Sequence, residues 1–377
     1  MMFATKQYFK IILYVLVIIL FCHPAIAKDF ENGKIEIFIS MNEDLSSNKF
    51  VLEEEIVRFI DESVSSLDIA VQELRSEKIH DQNPIKEAIL RAAERDVKVR
   101  MIVEASYLKP NSDTLDTFAE FLNTENITIS ADQNSKIFHN KFIVRDNGKA
   151  TAAILSGSTN FTDTGTRRNY NHIIIIHFEG ERKTYFEILD RYQDEFDELL
   201  AGTFSNVEPT QEIKNYRIGS TYVTILFSPD KDPDDYLLKK IIDAKETLDV
   251  MMFTFGSNSP LLSGVINRFY AVTRVNGEEQ RKVKVRVALE KRQCQYWSAC
   301  QTLKTLGIPT KVENTNTNLH HKVGIIDNKR VILGSYNWTL SANEDNDENI
   351  IFISNSQIAE YFTETFNDLW DNVLVNY

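Results

Sequence analysis

The stretch His139–Asp146 (HNKFIVRD) recurs 181 residues further along the chain as His320–Asp327 (HHKVGIID). The segments Leu67–Val71 (LDIAV) and Leu248–Met252 (LDVMM) are separated by the same 181 residues. Two independent matches at one offset indicate an internal duplication. We therefore predict two similar lobes, each of which carries one copy of the short motif.

Both halves show the same order of apolar segments. Strand-length runs rich in β-branched residues alternate with segments whose apolar residues recur at helical spacing. This alternation predicts an α/β fold in which each lobe has a central sheet covered by helices on both faces. The lobes are predicted to span residues 28–207 and 208–377, with the boundary in the aperiodic polar stretch Gly202–Ser220.

The first 27 residues have the pattern of an export signal. Lys6 and Lys10 precede an apolar run, Ile11–Cys22, and Ala25–Ala27 supplies a small-x-small cleavage site. A retained membrane anchor is the alternative, but a run of 12 residues is shorter than the roughly 18 to 20 that span a bilayer. We expect an exported protein, periplasmic or secreted, whose mature chain begins at Lys28.

The charge balance limits how a phosphate-bearing substrate can be held. The 377-residue chain has 42 basic and 55 acidic residues, a net charge of −13. Removal of residues 1–27 takes away two lysines and no acids, so the mature balance is 40 − 55, or −15. This sign argues against a general polyanion binder that relies on its overall field. An anionic substrate must therefore meet a local cationic pocket.

Two cysteines remain after residue 27. Cys294 and Cys300 lie six positions apart, and an even pair in an oxidising compartment predicts a local disulfide bond. Two free thiols are the alternative. Zinc binding is disfavoured because no second Cys or His pair lies beside them to complete a tetrahedral site.

Side-chain alternation on a strand divides the repeated motif between two faces. His139 and Lys141 project to one face, as do His320 and Lys322. His321 must project to the opposite face, which predicts a packing or hydrogen-bonding role instead of catalysis.

The acidic residue that closes each motif follows the strand. Asp146 and Asp327 stand beside Asn147-Gly148 and Asn328, a composition typical of turns. We interpret both carboxylates as turn or ion-pair residues that hold the hairpin, and only secondarily as parts of a reaction centre.

A second duplicated element follows the turn. Gly157 begins the sequence Gly-Ser-x-Asn, and Gly334 begins it again. Serine and asparagine two positions apart share a face, which offers a hydroxyl and an amide beside each His-Lys pair. The residues concerned are Ser158, Asn160, Ser335 and Asn337.

The combination His-x-Lys-(four residues)-Asp followed by Gly-Ser-x-Asn, present twice, resembles the phospholipase D superfamily of phosphodiesterases. The match covers nearly all of the chain after residue 27. The resemblance implies a bilobed α/β fold in which the two motifs meet at one active site across a pseudo-twofold axis, with no metal or cofactor. The catalytic residues it implies are His139, Lys141, Asp146, His320, Lys322 and Asp327.

The chemistry of a phosphodiester suits these residue types. Attack on phosphorus requires its charge to be neutralised, and two lysines with neighbouring hydroxyl and amide donors do so without a metal. One imidazole attacks phosphorus to give a phosphohistidine, while the other protonates the leaving alcohol and then activates water.

The roles of the two imidazoles are argued from a further pair of positions. Asn171 lies fourteen residues after Gly157, and Glu348 lies fourteen after Gly334; superfamily members resemble this in having a side chain here that orients the motif histidine. With Asn171 assigned to His139 and Glu348 to His320, the carboxylate raises the pKa of His320 and suits it to be the acid. The neutral amide leaves His139 uncharged, as a nucleophile.

The substrate is less constrained by the sequence. Export and acidity favour a phospholipid head-group phosphodiester, with peripheral membrane contact and no obligate protein partner. The alternatives are a metal-independent exported endonuclease acting on nucleic acid, and a phosphatidyl transferase. A non-catalytic binding module is disfavoured because both histidines and both lysines are present. Calcium-dependent hydrolysis would use the acidic stretches Asp230–Asp235 or Asn343–Asn349.

Overall fold

The computed structural model describes residues 28–40, 49–75, 83–108, 115–133, 136–178, 183–204, 212–230, 232–275, 278–294 and 298–377. The predicted export signal, residues 1–27, lies outside these ranges and stays a prediction. No helix in the described ranges combines the length and the apolar character needed to span a membrane.

The first lobe is built on an eight-stranded mixed sheet flanked by helices. In chain order its elements are β1 (Lys28–Phe30), β2 (Ile35–Ile39), α1 (Val51–Asp61), β3 (Ser66–Val71), β4 (Leu74–Arg75), α2 (Pro84–Glu94), β5 (Lys98–Val103), α3 (Leu115–Leu122), β6 (Ile127–Ala131), β7 (Lys141–Arg145), β8 (Ala153–Gly157), β9 (Phe161–Thr162), β10 (His172–His177) and α4 (Lys183–Leu200). The strand order is β1-β2-β10-β8-β7-β3-β5-β6, and β4 pairs with β9 in a separate small sheet. The pairs β3–β5 and β5–β6 are parallel, whereas the other pairs of the large sheet, including β3–β7, are antiparallel.

The second lobe repeats this plan on a nine-stranded sheet. Its elements are β11 (Asn215–Ile218), β12 (Thr221–Ser228), α5 (Pro233–Ile242), β13 (Thr247–Met252), α6 (Pro260–Tyr270), β14 (Val272–Val275), β15 (Glu278–Arg281), β16 (Lys284–Leu289), α7 (Cys300–Thr305), β17 (Thr310–Glu313), β18 (Lys322–Ile326), β19 (Arg330–Gly334), α8 (Leu340–Glu344), β20 (Glu348–Ser354), α9 (Ser356–Asp368) and β21 (Leu374–Asn376). The strand order is β11-β12-β20-β19-β18-β13-β16-β17-β21, and β14 and β15 form a separate hairpin.

The two sheets are related strand by strand. The run β2-β10-β8-β7-β3-β5-β6 of the first lobe corresponds to β12-β20-β19-β18-β13-β16-β17 of the second. Val71 pairs with Lys141 in one sheet, and Met252 pairs with Lys322 in the other, which preserves the 181-residue offset. The predicted α/β fold with two similar lobes and mixed central sheets is confirmed.

Local sequence explains why the elements begin and where they are buried. Helix α2 begins at Pro84, and the side chain of Asn83 caps it by accepting hydrogen bonds from the backbone amides of Ile85 and Lys86. Strand β10 reads HIIIIH, and its isoleucines are buried because the sheet is covered on both faces.

An extensive apolar interface joins the lobes. The ring of Phe227, in the second lobe, lies 5.8 Å from the ring of Phe142 and 5.2 Å from that of Tyr192, both in the first lobe. Arg191 adds an ion pair to Asp230 across the same interface, at 2.8 Å. Each buried aromatic side chain contributes about 1.5–3 kcal/mol by leaving water, so the lobes are held face to face.

The predicted boundary between residues 207 and 208 lies in 205–211, outside the described residues, and stays a prediction. The last helix of the first lobe ends at Leu200, and the first strand of the second begins at Asn215.

The structure contains the predicted disulfide bond. Cys294 and Cys300 are bonded, with their Cα atoms 5.3 Å apart. The bond joins the short turn Arg292–Cys294 to the first residue of α7.

Candidate active site

Each motif histidine is held by the backbone of the opposite lobe. The backbone amide of His139 donates to the carbonyl oxygen of Asp347 at 2.9 Å, and that of His320 donates to the carbonyl oxygen of Tyr170 at 3.0 Å. These reciprocal contacts bring the ends of β7 and β18 together about a pseudo-twofold axis. The two motifs therefore form one centre, as the resemblance implies.

The side-chain partners of the two imidazoles also cross between the lobes. Nδ1 of His139 lies 2.5 Å from Oε2 of Glu348, and Nδ1 of His320 lies 2.8 Å from Oδ1 of Asn171. The prediction that Asn171 orients His139 and Glu348 orients His320 is wrong. Because β10 and β20 approach the axis, each orienting side chain reaches across it.

The hydrogen bonds of Asn171 determine the tautomer of His320. Nδ2 of Asn171 donates to the carbonyl oxygen of Gly165 at 2.8 Å, so its Oδ1 is the acceptor. This oxygen receives hydrogen bonds from Nδ1–H of His320 and from the hydroxyl of Ser158. His320 thus holds a proton on Nδ1, which leaves Nε2 as the atom that accepts or donates a proton at the centre.

Glu348 is completely buried beside His139. Burial raises the pKa of Glu348 to about 8, against the opposing effect of the Lys141 cation. Burial, with the nearby Lys141 and Lys322 cations, lowers the pKa of His139 well below its ordinary value. The hydroxyl of Ser335 donates to Oε2 of Glu348 at 2.7 Å, which favours a carboxylate that also accepts from Nδ1–H of His139.

The two lysines form a buried cationic pair. Nζ of Lys141 donates to the carbonyl oxygen of His139 at 2.9 Å and to Oε1 of Gln72 at 3.2 Å. Nζ of Lys322 donates to the carbonyl oxygen of His320 at 2.9 Å and lies 3.1 Å from its Nε2. Burial lowers the pKa of Lys141 to about 7, and burial and then the Lys141 cation lower the pKa of Lys322. A phosphate anion between them would favour both charged forms, so the lysines supply the local cationic pocket that the acidic chain requires.

The two serines hold the orienting residues. Ser158 donates to Asn171, and Ser335 donates to Glu348. The expectation that these hydroxyls donate to the phosphate is wrong, because both protons are committed elsewhere. Their effect on the substrate is indirect, through the orientation of the imidazoles.

The two motif asparagines lie half-buried beside the centre. Oδ1 of Asn337 accepts from the backbone amide of Thr254 at 3.2 Å, so the donor atom of this side chain is Nδ2. Oδ1 of Asn160 is buried without a hydrogen-bond partner among the described residues.

The motif aspartates lie at the far ends of their strands. Asp146 accepts hydrogen bonds from the backbone amides of residues 64–66 and from the hydroxyl of Thr151. Asp327 accepts from the backbone amides of residues 245–247 and pairs with Arg330. Burial raises the pKa of each carboxyl, but the hydrogen bonds outweigh this effect, and both pKa values lie below the ordinary value. Both are turn residues at positive φ, as predicted, and they also fix the loop before the neighbouring strand.

The sequence analysis missed His172 and assigned no role at the centre to Phe253. His321 faces away from the centre, as predicted, but its Nδ1 lies 3.1 Å from Nδ1 of His172, and the rings stack across the lobe interface at 5.3 Å. Phe253 packs its ring 4.5 Å from that of His320 and lies beneath Nζ of Lys322. Two features of the sequence could have indicated these residues. His172 directly follows Asn171, and Phe253 directly follows the repeated Leu248–Met252 segment.

The acidic stretches considered for calcium have structural contacts instead. Asp232 caps α5, Asp234 accepts from the hydroxyl of Tyr336, and Asp230 pairs with Arg191. Within the described residues no three His, Cys, Asp or Glu side chains converge in a way that could hold a metal ion.

The fold and the paired His-Lys motifs have the arrangement that defines the phospholipase D superfamily. Residues 56–200 and 237–370 match the family model described as "Cardiolipin synthase, PLD-like domain". The chain belongs to the phospholipase D superfamily.

Curated relatives match part of the chain. The mitochondrial cardiolipin hydrolase of Mus musculus is 30% identical over 139 residues, which are 36% of this chain and 57% of that protein. A phospholipase D of Rickettsia typhi is 28% identical over 162 residues, 42% of this chain and 74% of that protein. The chain thus spans little more than half the length of the cardiolipin hydrolase.

A solved structure resembles nearly the whole chain. The phosphatidylserine synthase of Haemophilus influenzae has a TM-score of 0.60 and 12% identity, over 94% of this chain and 89% of that one. At this identity the likeness concerns the fold alone.

Proposed function

We propose that this protein hydrolyses the head-group phosphodiester of a phospholipid through a phosphohistidine intermediate. The observation that carries the proposal is the cross-lobe arrangement of two imidazoles, each oriented through Nδ1, around a buried pair of lysines. Such an arrangement offers a nucleophile, a proton donor and charge neutralisation at one phosphorus atom.

His139 is the proposed nucleophile. When Nε2 of an imidazole bonds to phosphorus while Nδ1 keeps its proton, the ring acquires a positive charge. The carboxylate of Glu348, 2.5 Å from Nδ1 of His139, stabilises that charge, whereas the neutral amide of Asn171 cannot do the same for His320. The sequence-based hypothesis also made His139 the nucleophile, but it paired His139 with Asn171. The present argument rests on the observed contact of His139 with Glu348.

His320 is the proposed acid and base. With an amide as its partner and two lysines nearby, its imidazolium is poorly stabilised and readily gives its proton to the leaving alcohol. The neutral ring then accepts a proton from the water molecule that attacks the phosphohistidine.

A lipid substrate is favoured over nucleic acid. The net charge of −13 opposes binding to an extended polyanion, and the relatives include proteins named phospholipase D and cardiolipin hydrolase. Transfer to another alcohol is an alternative fate of the same phosphohistidine. Export is part of the proposal and rests on the basic, apolar and small-residue pattern of residues 1–27.

The test is a parallel assay on phosphatidylcholine, phosphatidylglycerol, cardiolipin, and single- and double-stranded DNA. We expect release of head-group alcohol by the purified protein and its loss in His139→Ala and His320→Ala. His177→Ala is the matched control, because His177 pairs with Glu36 and has no contact with the centre. DNA cleavage that both active-site substitutions abolish, without lipid turnover, would assign the nuclease function instead.

A further inference from the structure

A polar cavity of about 280 Å³ opens on the second lobe. Its walls carry hydroxyl, amide and carboxylate groups, with few apolar side chains. The lining includes Thr254, Asn258, Gln293, Thr339, Ser341 and Glu344.

One residue of the cavity wall, Thr254, lies beside residues that contact His320. Thr254 directly follows Phe253, whose ring packs against His320 at 4.5 Å. The backbone amide of Thr254 also donates to Asn337 of the duplicated motif. A group bonded to phosphorus through the oxygen that His320 protonates would therefore extend towards this cavity.

The first lobe fills the equivalent positions with side chains. At the 181-residue offset, Glu73 corresponds to Thr254, and Arg75 corresponds to Gly256. Arg75 and Glu73 form an ion pair at 2.9 Å beside the start of the first-lobe motif strand. Gly256 has no side chain to occupy this space. The two lobes therefore differ here, and the two alcohol groups of a phosphodiester would meet different surroundings.

The lining carries negative charge, which repels further phosphate groups and attracts a protonated amine. Glu344 is exposed at the cavity wall and makes no ion pair with any described residue, while Asp345 beside it pairs with Lys136 of the first lobe at 3.0 Å. The carboxylate of Glu344, beside the ion-paired Asp345 and several uncharged hydrogen-bonding groups, attracts a cation. The volume admits a group of a few heavy atoms, but not a diacylglycerol.

We propose that this cavity binds the leaving alcohol of the substrate, and that this alcohol carries a protonated primary amine that Glu344 recognises. The proposal rests on the proposed function and names the head-group class. In the first step the bond between Nε2 of His139 and phosphorus forms, the bond from phosphorus to the amino alcohol oxygen breaks, and that oxygen takes the proton of His320. In the second step water or another amino alcohol attacks phosphorus, loses its proton to His320 and releases His139.

The experiment compares two alcohols of the same size. Bis(p-nitrophenyl) phosphate serves as the donor, and ethanolamine and propan-1-ol compete with water for the phosphohistidine at neutral pH. We expect the purified protein to form at least ten times more ethanolamine ester than propyl ester at equal alcohol concentrations. Glu344→Gln should bring this ratio near one, and Gly256→Arg, which places the side chain of Arg75 in the second lobe, should do the same.

A variant of a distant carboxylate serves as the control. Glu87→Gln removes an exposed carboxylate from α2 and should leave the ratio unchanged. Equal transfer to the two alcohols, or a preference that Glu344→Gln retains, would overturn the proposal. If the preference is present and no phospholipid is hydrolysed, the lipid assignment fails while the cavity assignment stands.

If bis(p-nitrophenyl) phosphate is not turned over, a binding measurement tests the same preference for an amine. Calorimetric titration should show that phosphoethanolamine binds at least ten times more tightly than propyl phosphate, and that Glu344→Gln removes the difference. Equal affinities for the unsubstituted protein would refute an amine-recognising cavity.

Discussion

Glu348 of the second lobe faces His139 of the first, with Oε2 and Nδ1 2.5 Å apart. The equivalent position in the first lobe holds Asn171, which faces His320 at 2.8 Å. The two imidazoles therefore have partners of different charge, although the motifs that carry them are alike.

Glu348→Gln should lower kcat/KM by about 100- to 1000-fold, the size of effect seen when one electrostatic stabiliser is removed from an active site. The amide keeps the shape of the side chain but cannot compensate the charge that forms on His139. Steady-state kinetics on a phosphodiester measure the loss. Asn171→Asp is the matched change on the other side, and an equal loss there would argue against a special role for Glu348.

His320→Ala should still become phosphorylated on His139 when the leaving group is p-nitrophenolate, which needs no protonation. Without a base to activate water, the phosphohistidine should accumulate, giving a burst of p-nitrophenolate equal to the enzyme concentration. Peptide mapping of the labelled protein locates the phosphate. Label on His320 in the His139→Ala protein would reverse the assigned roles.

For a p-nitrophenyl phosphodiester, whose leaving group needs no proton from His320, the pH dependence of kcat/KM should be a narrow bell with its maximum between pH 7 and 8. The active form needs ionised Glu348 and protonated Lys141, whose pKa values are about 8 and about 7. Activity is lost below this window as Glu348 gains a proton, and above it as Lys141 loses one. In Lys141→Arg the alkaline fall should disappear, because a guanidinium stays charged; its persistence would assign that limb to another group.

The buried His172–His321 pair should make the fold sensitive to acid. Burial lowers the pKa of His321 to about 3 and also lowers that of His172. Below the ordinary imidazole pKa of about 6.5 the unfolded chain binds protons that the folded chain excludes, so stability falls by about 1.4 kcal/mol per pH unit for each such ring.

The first lobe has Asn140 at the position of His321, and the second has Asn349 at the position of His172. The double variant His172→Asn/His321→Asn should therefore lose less stability between pH 7 and pH 5 than the unsubstituted protein. Chemical denaturation at both pH values measures this difference. Equal losses would show that other groups cause the acid sensitivity.

The Cys294–Cys300 bond should stabilise the fold by about 2 kcal/mol, because it closes a short loop in the unfolded chain. Urea denaturation of Cys294→Ala/Cys300→Ala measures the decrease in the free energy of unfolding. A reducing agent should destabilise the unsubstituted protein and leave the double variant unaffected. Equal stability of both proteins under oxidising conditions would contradict the prediction.

The fold and most of the centre could be predicted because their signals lie within single segments. Side-chain alternation along one strand placed His139 with Lys141 and turned His321 away, and both follow from local backbone geometry. The repeat then supplied the second copy of each feature.

The partners of the imidazoles could not be obtained in this way. Whether Glu348 meets His320 or His139 depends on how two sheets pack across an axis, and no periodicity within either half contains that relation. His172 was missed for the same reason, since its stacking partner lies on the other lobe. The errors therefore concern contacts between the halves.

The crossed contacts also explain why two copies of one half would be a poor substitute for the whole. Two first halves joined together would give both imidazoles an amide, and two second halves would give both a carboxylate. The two similar motifs take different roles because each imidazole contacts an orienting side chain that belongs to the opposite half. A substitution of the orienting residue in one half therefore changes the chemistry of the imidazole in the other half.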